Sequence, residues 1–359
     1  MCRTCFCTRY LCVILNFFRG DTFFLLYMFK KEKIQISVCI PVFNTQNSLL
    51  ACLESVATQD FSGTEVVITE DGDGFEKQTE RIIKDFKKSH KNLKITFLKN
   101  EKNKGLVETR RASLYESTGD YVLFLDSDDT LAQNALNILY ENAQKTGADI
   151  IHGKANVCIN EGLTASKERI ESTNKKCSSV FLGNLNGSDI LDGFLSKRNH
   201  NGFLWGKLFK KELCLEAFAQ IPPVYCIFCE DFLTYFYLAL CAQKYSGIEE
   251  KVYNYFINTG ISSEKKITTI EEWQKVCSTA SVFTILLSDI QQNPDLQSKL
   301  TETEIEVIKF SARYYAKSNL KQMLDNVIPE LKDAARAELC EWWGQGMIDT
   351  AEKELQEKK

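Results

Sequence analysis

Apolar and polar residues fall into two alternating rhythms from Ile34 onward. Ile34, Ile36, Val38 and Ile40 recur at every second position, the period of a strand, until "PVFN" breaks the run. Leu49, Leu50, Leu53, Val56 and Ala57 then recur at helical spacing. The pair repeats. "TEVVIT" predicts a second strand ending in "EDGDG", "FEKQTERIIKDFKKSH" a second helix, "LKITFL" a third strand, "GLVETRRASLYEST" a third helix and "YVLFL" a fourth strand. A helix over 131–146 and a strand over 148–151 complete the series. Strands joined by crossover helices predict an α/β fold with a mostly parallel central sheet flanked by helices. Ligands of such sheets sit beyond the carboxyl ends of the strands. Three of those ends carry polar groups: Asn44 after the first strand, Glu70 and Asp71 after the second, and Asp126 to Asp129 after the fourth.

The alternation fades after about residue 152. Residues 158–186, rich in Ser, Asn, Lys and Gly, read as a mobile loop or lid. "NGFLWGKLFKKELCLEAF" and "EDFLTYFYLALCAQ" follow, then the strand-like "KVYNYFI". From Thr268 the chain is helix-rich, with an apolar stripe of Val276, Ala280, Phe283, Leu286 and Leu287. This predicts a helical C-terminal appendage that packs on the core or, as a homodimer, on a second copy.

Composition changes the picture little. Of 359 residues 44% are hydrophobic, and 48 acidic residues nearly balance 44 basic ones, so no global basic field argues for nucleic acid. Fourteen scattered cysteines fit reduced thiols in a cytoplasmic setting better than a disulfide framework. The C-x-x-C pairs Cys2/Cys5 and Cys226/Cys229 lie too far apart for a zinc ribbon, and His90, His152 and His200 lack metal spacing. Residues 1–29 are apolar but divided by "RGD", which leaves no run of about 20 apolar residues to span a bilayer. They read either as a membrane-surface segment backed by Lys30, Lys31 and Lys33 or as an extension before a true start at Met28, and the second reading is preferred.

The candidate chemistry concentrates in "LFLDSDDT", residues 123–130, where a buried strand runs straight into Asp126, Asp128 and Asp129. Carboxylates at a strand end are costly unless solvated, hydrogen-bonded or bound to a cation, so a metal site is the first reading.

Six ordered stretches, "ISVCIPVFN", "VVITEDGDG", "NKGLVETRR", "GDYVLFLDSDD", "WGKLFKKEL" and "EDFLTYFYLA", together resemble the inverting family 2 glycosyltransferases of the bacterial surface-polysaccharide and lipo-oligosaccharide type, which use the nucleotide-sugar-binding GT-A fold. The resemblance implies a GT-A domain over 30–262, with a nucleotide-binding half at 34–152 and an acceptor or lid half at 153–262, followed by the helical region 263–359. It implies a divalent metal, Mg²⁺ or Mn²⁺, held by Asp126 and Asp128 with Asp129 adjacent; hard oxygen ligands suit both ions. By the same resemblance Pro41, Asn44, Asp71, Arg110 and Asp126 face the donor nucleotide, and Asp231 is the general base with Glu230 beside it. Trp205 and Lys207 face the acceptor, with an indole face against a sugar ring. Arg111 departs from the asparagine common in the family, and Glu70 and Asp73 receive no role. The implied reaction moves a sugar from a nucleotide-diphosphate donor, a uridine diphosphate sugar first, to a hydroxyl of a glycan or lipid-linked saccharide, at the inner face of the cytoplasmic membrane.

Other readings use the same letters. "DSDDT" could cap a following helix, and Glu230 and Asp231 could be first-turn acids favoured by the helix dipole. Arg110 could pair with Glu108 or Glu116 on the surface, and Trp205 could be a core aromatic. A haloacid-dehalogenase-like phosphatase would use Asp126 as nucleophile and Asp128 as acid/base, although that fold carries its motif on the first strand. A non-catalytic nucleotide-sugar-binding protein would keep the fold without turnover.

Overall fold

A computed structural model describes residues 33–72, 74–160, 164–257 and 266–357. The N-terminal extension, the alternative start at Met28 and Asp73 lie outside the described residues. Residues 34–359 form one compact unit.

The first half is a right-handed βα series. It runs β1 (Ile36–Val42), α1 (Gln46–Ala57), β2 (Thr64–Glu70), α2 (Glu76–Ser89), β3 (Lys94–Lys99), α3 (Leu106–Glu116) and β4 (Tyr121–Phe124). These strands lie in the order β3-β2-β1-β4, all parallel. Alternation along the strands sorts side chains to two faces. Ile36, Val38, Ile40, Val66 and Ile68 pack with Leu49, Leu53 and Ile83 on one side. Cys39, Val67, Val122 and Phe124 pack on the other. Both faces are covered, so the strands read as near-continuous apolar runs.

The second half follows as β5 (Thr130–Leu131), α4 (Ala135–Thr146), β6 (Ile150–Ile159), α5 (Lys167–Cys177), β7 (Gly183–Asn186), α6 (Ser188–Leu195), β8 (Lys207–Lys210), α7 (Lys211–Gln220), α8 (Glu230–Cys241) and β9 (Lys244–Ile257). β8 joins the sheet antiparallel to β4 and β6, and β9 runs parallel to β6. β5 and β7 pair antiparallel with β9. The sheet is therefore all parallel in its first half and mixed in its second.

Two sequence expectations change here. The helix expected over 131–146 starts at Ala135, because Thr130 and Leu131 pair with Asn254 and Tyr253. The loop or lid expected over 158–186 contains a helix, α5, whose N-cap Ser166 accepts the Arg169 N–H at 3.2 Å, and an edge strand, β7. Its polar composition reflects solvent exposure of a surface layer.

The remaining helices are α9 (Ile270–Cys277), α10 (Thr279–Gln292), α11 (Pro294–Lys299), α12 (Glu302–Asn326), α13 (Lys332–Trp343) and α14 (Gln345–Gln356). A Thr301/Glu304 capping box starts α12. These helices continue the core of the sheet's second face: Val276, Ala280, Phe283 and Leu286 join one cluster with Leu233, Tyr235 and Phe236 of α8. Of the two readings of the apolar stripe, packing on the core is the one seen for these four residues. Phe283 is the hub, with ring centroids 5.6 Å from Phe232, 5.4 Å from Tyr315 and 6.0 Å from Trp343. Phe283→Ala is expected to lower the unfolding free energy by about 3–5 kcal/mol, read from a urea titration as one shifted transition. A separate early transition would contradict the shared core.

Candidate active site

The carboxyl ends of β1, β2 and β4 meet at one edge of the sheet. Val42 pairs with Glu70, and the Asp71 N–H donates to the Val42 carbonyl at 2.9 Å. Pro41 lies within β1, where its missing N–H is harmless. Alternate residues of a parallel strand serve alternate neighbours; Cys39 serves β4 through the Leu125 N–H, and β4 has left the ladder by Pro41. Asn44 turns the chain with φ 57°, a left-handed conformation asparagine tolerates. The turn is then tied to the acidic loop: Thr45 Oγ1 and Ser127 Oγ are 2.7 Å apart, and Ser48 Oγ donates to the Ser127 carbonyl at 3.0 Å.

Asp71 is buried and anchors the segment leading into α3. It accepts from Asn100 Nδ2 at 2.7 Å, the Lys104 N–H at 2.9 Å and the Gly105 N–H at 3.0 Å. Burial pushes its carboxyl up and these bonds pull it down. The Thr109 side chain also faces this carboxyl, so the segment leading into α3 surrounds it with donors. Gly105 has φ 85°, and a Cβ there would lie 2.8 Å from the Cys226 carbonyl oxygen.

Arg110 of α3 is 1% exposed and sits at the centre. Its Nη2 donates to Asp126 Oδ1 at 3.0 Å, and its Nη1 to Glu230 Oε1 and Asp231 Oδ1, each at 3.1 Å. Arg110 is therefore neither a surface residue nor a partner of Glu108. Arg111 takes that role: it pairs with Glu108 at 3.1 Å and donates to the carbonyls of Phe218 and Ile221, fastening α3 to α7.

The acidic loop divides its labour. Asp126 and Asp128 are partly exposed, whereas Asp129 is 2% exposed. Asp129 spends one oxygen on the Tyr253 hydroxyl at 2.8 Å and the other on the Phe256 N–H at 2.7 Å. The same Tyr253 hydroxyl accepts the Asp126 N–H at 3.3 Å. Asp129 thus fastens the loop to β9 with both of its oxygens, and the expected metal binding falls first to its two partly exposed neighbours. The capping alternative falls as well, since α4 starts at Ala135 after Asn134 with no side-chain cap.

Glu230 and Asp231 open α8 and both meet Arg110. Burial pushes both carboxyls above the usual range, with Asp231 repelling Glu230 and Asp126 repelling Asp231, opposed by Arg110. Three carboxylates, those of Asp126, Glu230 and Asp231, gather about one bonded guanidinium, and Asp128 follows two residues after Asp126. Among the described residues no three His, Cys, Asp or Glu side chains form a closed metal cage. Mg²⁺ or Mn²⁺ needs only one or two carboxylates where water and substrate phosphates complete the shell, so Asp126 and Asp128 fit such an ion.

Residues 37–199 match the model of Glycosyl transferase family 2. The matched segment is of this family. As a family 2 glycosyltransferase it is an enzyme of nucleotide-sugar chemistry, and its carboxylates follow the fourth strand, which leaves the phosphatase alternative without support. The glycosyltransferase is 35% identical over 119 residues to GlyA of Streptococcus pneumoniae, covering 33% of this chain and 16% of that one. It is 23% identical to a cholesterol galactosyltransferase of Borreliella burgdorferi, covering 86% of each. Staphylococcus aureus TarS 1–349 in complex with UDP-GlcNAc superposes with a TM-score of 0.51 at 18% identity, covering 90% of this chain and 92% of that one. The mannosyltransferase PcManGT of Pyrobaculum calidifontis, in complex with GDP-Man and Mn²⁺, gives 0.51 at 15% identity, covering 92% and 89%. These structural likenesses establish the GT-A fold.

The acceptor-side residues need correction. Trp205 is 4% exposed and stacks on Phe203 at 4.6 Å and Tyr253 at 4.8 Å, with Tyr255 at 5.4 Å, so no indole face is open to a sugar. Lys207 is fully buried, with its Nζ donating to Asn201 Oδ1 at 2.9 Å and to the Phe203 carbonyl. Both lie beneath the site. Tyr253, which braces the acidic loop, gave no signal beyond an aromatic in a strand. Its partner Asp129 is 124 residues away in sequence.

Arg110→Met should cost about 3–5 kcal/mol at neutral pH by stranding buried carboxylates. A carboxylate whose folded pKa is raised is most stable protonated, and stability falls as pH rises from its unfolded value, about 4.3, through the folded one. The penalty of Arg110→Met is therefore expected to be larger at pH 8 than at pH 5 in parallel urea titrations. Equal penalties would mean that Arg110 acts by packing alone.

Proposed function

We propose that this glycosyltransferase moves one sugar, with inversion, from a uridine diphosphate sugar to a hydroxyl of a growing glycan or lipid-linked saccharide. The observation that carries this reading is the triple contact of Arg110. One guanidinium joins Asp126, at the donor end of the sheet, to Glu230 and Asp231 at the start of α8.

In this reading Asp231 takes the proton of the acceptor hydroxyl as its oxygen attacks the anomeric carbon from the face opposite the diphosphate. The bond to the diphosphate oxygen breaks and carries its electron pair with it. Arg110 favours the ionised form of Asp231 and fixes its direction, while Glu230 shares the guanidinium. Asp71 faces the base at the end of the second strand, and Pro41 and Asn44 shape the turn beside it. Asp126 and Asp128 would hold Mg²⁺ or Mn²⁺, which when bound neutralises charge developing on the leaving diphosphate.

The uridine donor is supported by the sequence resemblance and by the UDP-GlcNAc complex of TarS. A metal is supported by the Mn²⁺ in the PcManGT complex and by the excess of carboxylates. A lipid-linked saccharide as acceptor is supported by a relative in Campylobacter jejuni named GalNAc(5)-diNAcBac-PP-undecaprenol beta-1,3-glucosyltransferase, 28% identical over 37% of this chain and 41% of that one. A place at the cytoplasmic face of the membrane, as a peripheral protein, is supported by the sequence resemblance alone. Among the described residues no helix is long and apolar enough to cross a bilayer.

Scanning UDP-GlcNAc, UDP-glucose and UDP-galactose with Mn²⁺ should raise the melting temperature for at least one donor. A ligand at a hundred times its Kd adds about 2.7 kcal/mol. Asp128→Ala should abolish that shift; stabilisation by no nucleotide sugar would sink the proposal. Asp231→Asn should bind the same donor within about twofold and slow its turnover by about 10²–10⁴-fold. Unchanged turnover would remove Asp231 as the base.

A further inference from the structure

We infer that Lys207 is a positioning residue: its buried ammonium locks the turn 201–205 so that the Leu204 N–H is held against the Asp231 carboxylate. The inference rests on Asp231 being the base.

A fully buried ammonium without a carboxylate partner is a costly arrangement. Among the described residues Lys207 makes no ion pair within 4.0 Å, yet each of its three donors has a place. Nζ donates to Asn201 Oδ1 at 2.9 Å and to the Phe203 carbonyl, and it lies 5.0 Å from the centroid of the Tyr235 ring. Asn201 is a second anchor of the same turn. Its Oδ1 also accepts the Phe203 N–H at 3.2 Å, and its Nδ2 donates to the Ser179 carbonyl at 3.0 Å. Both bonds to Lys207 come from the turn's own atoms. The turn then brings the Leu204 N–H to the side of Asp231, where it favours the ionised carboxylate. Gly206, at φ 70°, lets the chain reverse from the turn into β8, which carries Lys207 beneath it.

The groups facing Asp231 come from every side: Arg110 of α3 at 3.1 Å, Asp126 after β4, its neighbour Glu230 on α8, the Leu204 N–H, and Lys207 of β8 from below. Arg110 and Lys207 are the two basic groups, on different elements; burial pushes the Lys207 pKa well down, and Asp231 opposes that shift. Lys207 acts on the proton acceptor through geometry and field together, without touching substrate.

The test uses the full chain and the UDP-sugar on which the wild type releases UDP, compared as wild type, Lys207→Met, Lys207→Arg and Asn201→Ala. Met keeps the stem and removes the charge. Lys207→Met should release UDP about 10- to 100-fold more slowly per folded molecule, with UDP affinity, measured by calorimetry with Mn²⁺, within twofold. A cation lowers the pKa of a nearby carboxylate, so its loss should move the rising limb of rate against pH to higher pH. Asn201→Ala, which loosens the turn and keeps the charge, should slow release with a smaller pH displacement. Lys207→Arg should recover part of the pH position. Amide hydrogen exchange over residues 201–205 should quicken in Lys207→Met. The inference is overturned if exchange in the turn is unchanged, or if release falls only as the folded fraction falls with the pH limb unmoved. Absence of UDP binding by the wild type would sink the transferase reading instead, and the exchange result would still decide the role of Lys207 in the turn.

Discussion

A single buried guanidinium holds the two ends of the site together. Arg110 draws in three carboxylates that are 16, 120 and 121 residues away in sequence. The fork geometry matters here: two nitrogens at fixed angles reach two elements at once, which a lysine ammonium cannot match with the same register. The guanidinium also fixes the sign of the site. It neutralises only part of the gathered negative charge, and the remainder faces the side where Asp126 is 27% and Asp231 22% exposed. A site of this sign repels a bare diphosphate and accepts one that arrives with a divalent cation. The acidic loop and the opening of α8 are thus two halves of one electrostatic unit, and the fold's task is to bring them within reach of α3.

That unit was partly legible in the sequence. The β1-to-β4 series is local: each strand and helix has its own period, and parallel pairing follows from crossover connections, so the pattern alone places Asn44, Asp71 and Asp126 at one edge. The second half was less legible because its pairings are long-range. β8 inserts antiparallel between β4 and β6, and the short β5 exists only because β9 lies beside it. Asp129 shows the limit well. Its spacing matches a metal ligand, and only the Tyr253 hydroxyl and the Phe256 N–H reveal that both of its oxygens are spent. Trp205 and Lys207 fail for a related reason, since a tryptophan and a lysine in a polar stretch give no sign of which way they turn.

The helices after residue 266 have a larger part in this arrangement than an appendage would. Tyr315 of α12 hydrogen-bonds Cys229, the residue that precedes Glu230, and Cys229 holds φ 65° as α8 begins. A left-handed cap on a residue other than glycine persists where its surroundings enforce it. Phe283 packs against both Tyr315 and Phe232, so α10 and α12 press on the first turn of α8 from behind. Arg110 pulls that same turn from the front. The direction in which Glu230 and Asp231 leave the helix is therefore set by opposing contacts from regions more than 80 residues apart, one polar and one apolar. An apolar core is close-packed and yields little, so it defines where the turn sits; the ion contacts then select the rotamers within it. On this account the C-terminal helices belong to the catalytic apparatus as its rear wall. Changes in their packing would reach the base through Cys229 without any contact to substrate.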